Sequence, residues 1–182
     1  KGNQEWLDLF KNHDNQVENK IFSIIKDDKI HEYNFAFNLM DHIPNHSNIF
    51  IGNSLMIRAF DSYSKKFDKD ILFFSNRGAS GIDGNISTAL GISVSCPKRS
   101  NFLIIGDQAF MHDIGSLRLL KKLEVNLAII IINNMGGGIF DYLDLSNSDT
   151  NEAYQKLIRC SHTMNFKSIV CGYGLEYTQL HT

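Results

Sequence analysis

Apolar residues along the chain follow two rhythms. Phe102 to Ile105 and Leu127 to Ile132 are short, β-branched runs, which predict strands buried on both faces. "NIFIGNS" (48–54) and "ILFFSNRGASGIDG" (71–84) repeat the design, each an apolar stretch that stops at Asn and a turn. Elsewhere the spacing is helical. Ile114, Leu117, Leu120 and Leu123 recur at three-residue steps with Arg118, Lys121, Lys122 and Glu124 on the other face, so a helix is expected there with Asp113 as its N-cap. Apolar positions 82, 86, 89, 90 and 94 predict another helix from Ile82 to about Val94, its N-terminus following the glycines of "NRGASGIDG". Residues 1–47 read as two or three helices, the last ended by Pro44. "LSNSDTNEAYQ" (145–155) reads as a loop, and a strand or turn is expected just before the closing "GLEYTQLHT".

Strand, helix and strand between Phe102 and Ile132 form a βαβ unit, whose crossover makes the strands parallel and the connection right-handed. Four strands then end in polar punctuation: Asn53-Ser54, Asn76-Arg77-Gly78, Gly106-Asp107 and Asn133-Asn134. In a parallel sheet all four meet at one carboxyl edge, where open α/β sheets bind ligands. The expected fold is therefore α/β, an open and mainly parallel central sheet with helices on both faces, in a single domain covering 1–182.

Composition narrows the function classes. The chain has 182 residues, 43% hydrophobic, with a formal net charge of -2, which gives no support for nucleic-acid binding through bulk charge. Cys96, Cys160 and Cys171 are odd in number and lack paired ligand spacing, which argues against a disulfide framework or a zinc site. No apolar run reaches the roughly 18 to 20 residues of a membrane helix, and no signal-peptide pattern opens the chain, so a cytoplasmic location is expected. The missing initial Met and the ending "GLEYTQLHT" lead to the expectation that this is part of a longer protein.

The strand ends carry the chemistry. Magnesium takes about six hard oxygens and often completes its shell with phosphate and water. Asp107 offers a carboxylate, Asn134 an amide oxygen, and the glycines after Asn134 allow a backbone carbonyl to turn inward, so a diphosphate could finish the shell. Taken singly these residues are equally common as helix caps and turn formers; Asn133 reads as a brace for the loop. His42 and His46 are separated by Pro44, which breaks the helix that would align them, and His112 is expected in the loop after Asp107, close to the proposed site.

The combination of "GNS" with Arg58, "NRGASGIDG", Gly106-Asp107 and "NNMGGGIF" resembles the thiamin-diphosphate motif. More narrowly, it is similar to the C-terminal cofactor domain of the 2-succinyl-5-enolpyruvyl-6-hydroxy-3-cyclohexene-1-carboxylate synthase family of menaquinone biosynthesis, from about Ile49 to Leu143 with a looser tail to Thr182. The resemblance implies thiamin diphosphate and Mg2+, with Mn2+ as an alternative ion, held by Asp107, Asn134 and the Gly136 carbonyl. It places Gln108 and Ala109 at the diphosphate; the family often has Ser where this chain has Ala109, which leaves only the backbone N–H there. Ile82 is implied as the apolar prop under the bent cofactor, and Ile139 and Phe140 as apolar walls. Ser54, Arg58 and Arg77 are implied at the carboxylate-rich substrates 2-oxoglutarate and isochorismate.

By the same resemblance the activating glutamate comes from an N-terminal pyrimidine-binding domain of a neighbouring subunit, in a homodimer or homotetramer. Residues 1–182 alone are therefore expected to be inactive. Two rivals stand beside this reading: another carboligase or decarboxylase of the same cofactor class, acetolactate-synthase-like, and a non-catalytic diphosphate-binding module.

Overall fold

The computed structural model describes residues 2–25, 32–142 and 151–180. Two helices, α1 (Gln4–Ile25) and α2 (Glu32–His42), precede strand β1 (Ser47–Ile51). Then follow α3 (Leu55–Tyr63), β2 (Ile71–Phe74), α4 (Asn85–Ser95), β3 (Ser100–Gly106), α5 (Asp107–His112), α6 (Leu117–Leu123), β4 (Leu127–Ile132), α7 (Asn151–Leu157) and α8 (Phe166–Gly172). The strands form one parallel sheet in the order β2-β1-β3-β4. Register pairs Phe50 with Phe74, Ile51 with Ile104 and Gly106 with Ile132, so the strand ends do align along one edge.

Alternation along the strands supplies both faces. Phe50, Leu103 and Ile105 pack with Ile86 and Leu90 of α4, Phe110 of α5, Leu117 of α6 and Phe166 of α8. The intervening Ile49, Ile51 and Ile104 pack with Ala36 and Met40 of α2 and with Met56 and Phe60 of α3. The expected α/β sheet with helices on both faces is what forms. Each fully buried side chain such as Leu103 contributes about 1.5–3 kcal/mol by leaving water. Helix α1 buries none of its residues. No helix among the described residues is long and apolar enough to cross a membrane.

Several local expectations change. Helix α2 stops at His42, two residues before Pro44, and Lys69 Nζ satisfies the nearby carbonyls of Met40, Asp41 and Ile43 at 2.7, 3.0 and 2.7 Å. The helix expected from Ile114 is broken: a short 3-10 turn at Ile114–Ser116 precedes α6. Asp113 does not cap its own helix. Its carboxylate accepts the Ser87 N–H at 2.9 Å and the Ser116 hydroxyl at 2.7 Å, so it serves an otherwise unpaired donor in the first turn of α4. Helix α4 starts at Asn85 rather than Ile82, because Gly84 (φ 66) turns the chain ahead of it. Of the loop expected at 145–155, residues 145–150 lie outside the described residues and the remainder belongs to α7. The element before "GLEYTQLHT" is helix α8, closing in a turn.

At the amino edge of the sheet, remote from the strand ends, Arg99 grips Asp70 through Nη1–H to Oδ2 (2.9 Å) and Nη2–H to Oδ1 (3.1 Å), and also bonds the Ser47 carbonyl (2.8 Å). His46 Nδ1 lies 2.7 Å from Asp70 Oδ2. His46 is thus a structural partner here. The hydrogen bonds from Arg99, then from His46, lower the Asp70 pKa from 3.8 to about 2. Folding therefore favours the ionised form, and its contribution is present above pH 3.8 and lost as pH falls through 2. The stability difference between wild type and Asp70→Asn, read by thermal denaturation, should be visible at pH 6 and shrink between pH 4 and pH 2. A difference that stays constant over that range would rule out this origin.

Candidate functional site

The strand order sets where the site lies. From β1 the chain crosses to β2 on one side, while β3 and β4 continue on the other, so the crevice between the ends of β1 and β3 is a topological switch point. Residues after β1 (Asn53–Met56), at and after the end of β3 (Gly106–Ala109), and at and after the end of β4 (Ile132, Asn134 and Gly136–Ile139) line a cleft there, and Ile82 joins them from the loop after β2.

Asp107 is the first residue of α5 and is 2% exposed. A buried carboxylate is costly unless hydrogen-bonded. Its Oδ1 accepts the Gln108 N–H at 2.6 Å, and its Oδ2 accepts the Gly136 N–H at 2.8 Å, which ties the end of β3 to the loop after β4. Gly136 has φ 148, and a Cβ there would lie 2.8 Å from the Arg159 carbonyl oxygen. A Cβ on Gly138 would collide with the Asn134 side chain. These glycines are needed for close approach. The Gly136 carbonyl accepts the Gly138 N–H at 2.9 Å and keeps one lone pair.

Asn134 has a fixed orientation. Its Nδ2 donates to Glu32 Oε1 at 3.0 Å, and because an ionised carboxylate only accepts, the amide oxygen must face the other way. That Oδ1 is buried and has no hydrogen-bond partner. Asn133 braces the turn by accepting the Met135 N–H at 3.0 Å, as expected. One carboxylate, one unpartnered amide oxygen and a glycine carbonyl form a hard-oxygen set that suits a divalent cation arriving with phosphate oxygens. Among the described residues no group of three or more His, Cys, Asp or Glu offers a different metal site.

Residues 51–182 match the family model described as "Thiamine pyrophosphate enzyme, C-terminal TPP binding domain". The chain belongs to the thiamine pyrophosphate enzymes. It is 40% identical over 79% of its length to a 2-succinyl-5-enolpyruvyl-6-hydroxy-3-cyclohexene-1-carboxylate synthase from Lysinibacillus sphaericus, covering 25% of that protein. A synthase of the same name from Roseiflexus sp. is 33% identical over 96% of this chain and 30% of its own length. One from Listeria innocua is 42% identical over 74% of this chain and 23% of its own length. The chain thus spans between a quarter and a third of the first two relatives and slightly less of the third. Two solved structures share the fold. One is a Mycobacterium smegmatis protein assigned as a thiamin diphosphate-dependent enzyme (TM-score 0.61, 15% identity, 80% of this chain and 25% of that one). The other is the thiamine diphosphate-dependent 4-hydroxybenzoylformate decarboxylase of Rhodococcus jostii RHA1 (TM-score 0.62, 18% identity, 84% of this chain and 28% of that one).

In this thiamine pyrophosphate domain the cleft gathers Ser54, Ile82, Asp107, Gln108, Ala109, Asn134, Gly136 and Ile139. Ser54 has φ 72, an uncommon conformation for a non-glycine residue and one that clusters at functional sites. Arg58, Arg77 and Phe140 are not in the cleft wall. Arg58 is exposed on α3 and donates to the Ser54 carbonyl at 2.7 Å, Arg77 is exposed in the loop after β2, and Phe140 is 40% exposed beside Gly137. His112 ends α5 on the surface.

Three further residues support the site, and only Asn53 lies in a quoted motif. Asn53 is 3% exposed, donates to the Gly81 carbonyl at 2.8 Å and keeps an unpartnered Oδ1 in the cleft wall. Glu32 comes from the first turn of α2, and His162 Nε2 lies 3.0 Å from Asp107 Oδ2. Asn53 was readable as strand-end punctuation; the other two carry no local signal. Gly136→Ala should destabilise the protein by about 1–3 kcal/mol in urea denaturation, through its φ and the Arg159 contact. Gly115→Ala, which meets nothing within 4 Å, should stay within about 0.5 kcal/mol of wild type.

Proposed function

We propose that the chain is the diphosphate- and magnesium-binding domain of a thiamin-diphosphate-dependent synthase of menaquinone biosynthesis. That synthase decarboxylates 2-oxoglutarate and adds the succinyl unit to isochorismate. The observation that carries this reading is the pairing of the buried Asp107 carboxylate with the unpartnered Asn134 Oδ1, brought together by two parallel strand ends under a glycine loop. Support for the substrates comes from the three relatives, 33–42% identical, that carry the synthase name.

Asp107, Asn134 and the Gly136 carbonyl hold Mg2+, with Mn2+ as an alternative ion. Gln108 and Ala109, in the first turn of α5, face the diphosphate, and Ala109 offers only its backbone N–H. Bound thiamin diphosphate supplies the nucleophilic carbon and the electron sink for decarboxylation. Ile82 and Ile139, both in the cleft wall, would give the cofactor apolar contact, while Phe140, outside the wall beside Gly137, would meet it only at the rim. Ser54, Arg58 and Arg77 give a polar and cationic rim, and a planar guanidinium grips a carboxylate through two charge-assisted hydrogen bonds. Arg58 uses one Nη1–H on the Ser54 carbonyl and keeps the rest of its fork for such a partner.

The activating half of the site belongs to an N-terminal pyrimidine-binding domain of a neighbouring subunit in a cytoplasmic homodimer or homotetramer. Residues 1–182 form one domain of that longer chain and do not turn over alone. The test uses the protein at its full natural length, with thiamin diphosphate and Mg2+, and measures carbon dioxide released from 2-oxoglutarate with and without isochorismate. Release coupled to isochorismate consumption is expected. Asp107→Ala should reduce it at least about 100-fold, since a metal's stabilisation of developing charge amounts to several kcal/mol. Turnover of pyruvate without coupling would favour an acetolactate-synthase-like enzyme, and binding of thiamin diphosphate without any turnover would favour a non-catalytic module.

A further inference from the structure

The segment from Arg159 to His162, between α7 and α8, bonds to each part of the proposed metal site. The Arg159 carbonyl accepts the Gly137 N–H at 2.6 Å, and its Nη2–H donates to the Asn134 carbonyl at 3.0 Å. The Cys160 carbonyl accepts from Gln108 Nε2 at 3.0 Å. His162 reaches Asp107 itself, with Nε2 3.0 Å from Oδ2.

The second ring nitrogen decides the direction of that bond. The Met164 N–H points at His162 Nδ1 from 3.2 Å, so Nδ1 is the acceptor and the proton sits on Nε2. Nε2–H therefore donates to Asp107. The imidazole, 14% exposed, packs edge-on against Phe166 (5.8 Å, 87°). Phe166 in turn packs edge-on against Phe110 (5.6 Å, 78°) in the helix that Asp107 begins. The ring is held by bonding and by packing.

A carboxylate has about four acceptor positions. Gly136 N–H and His162 Nε2–H fill those of Oδ2, whereas Gln108 N–H takes only one of Oδ1. The geometry points to His162 as a positioning residue that saturates Oδ2 and so fixes Oδ1 as the oxygen Asp107 offers to a divalent cation. This rests on the metal reading above. A ligand side chain held by such an outer partner binds metal more tightly, because the orientation is set before the ion arrives.

The test is Mn2+ binding to the full-length protein in the presence of thiamin diphosphate, followed by the paramagnetic resonance signal of the free ion. His162→Ala should weaken Mn2+ binding about 10–100-fold. His162→Gln, whose amide N–H can donate to Asp107 and whose carbonyl can accept from Met164, should recover most of that loss. Should the alanine variant fail to fold, His162→Leu, which fills space without a donor, takes its place. Mn2+ affinity unchanged in the donor-less variant, or equal loss in folded His162→Gln, overturns the proposal, since a merely structural role would show as lower melting temperature alone. Asp107→Ala separates the two readings: retained Mn2+ binding there overturns the metal site itself, whereas its loss alongside an unaffected His162 variant overturns only the role of His162.

Discussion

A carboxylate that is 2% exposed must be answered by donors, and the way Asp107 is answered organises the rest of the site. The donors arrive from its own helix, from the loop after β4 and from the segment ahead of α8. Each has to be delivered by a different part of the chain. The glycine at position 136 follows from the same need, because only a residue without Cβ brings its N–H to Asp107 while passing the Arg159 carbonyl. Asn134 is the counterpart: its N–H2 is claimed by Glu32, which leaves its oxygen buried without a partner. One carboxylate oxygen is saturated and the neighbouring amide oxygen is left without a protein partner, and the proposed metal site rests on that pairing.

The sheet makes this convergence inexpensive. Because all four strands run parallel, their carboxyl ends come to a common edge without long loops, and the reversal of order between β1 and β3 opens the crevice that the loops line. The apolar residues of β1, β3 and β4 alternate strictly between the two helical layers, so the strands that carry polar ends are themselves anchored on both faces. The amino edge is fastened separately by Arg99 and Asp70. The loops that line the cleft are thus mounted on strands packed on both faces.

Periodicity made the architecture legible. The β-branched runs and the three-residue steps located β3, β4 and the helical crossover, and polar punctuation located the functional edge, since both signals are local. Strand order was not readable, because nothing in a single strand says which neighbour it pairs with. Asp113 was misread for a related reason: a carboxylate before a helical pattern looks like a cap, but the donor it serves, the Ser87 N–H, belongs to another helix. The motif residues Asp107, Asn134 and Gly136 were legible through spacing and resemblance and do converge in the cleft. Their supports Glu32 and His162 were not, because a hydrogen bond to a distant ligand leaves no trace in local pattern. Arg58 and Arg77 stand outside the cleft wall, where a substrate's own carboxylates would have to reach them.

The Asn134–Glu32 bond spans 102 positions of sequence, and the His162–Asp107 bond spans 55. Contacts of such separation form late, since the chain must close large loops before they return any energy. During synthesis the glycine loop after β4 would leave the ribosome before the segment of Arg159 to His162 that bonds to it. Assembly of the pocket is therefore a report on the whole chain, and a guest that binds only the finished pocket draws its linkage from global folding rather than from one loop.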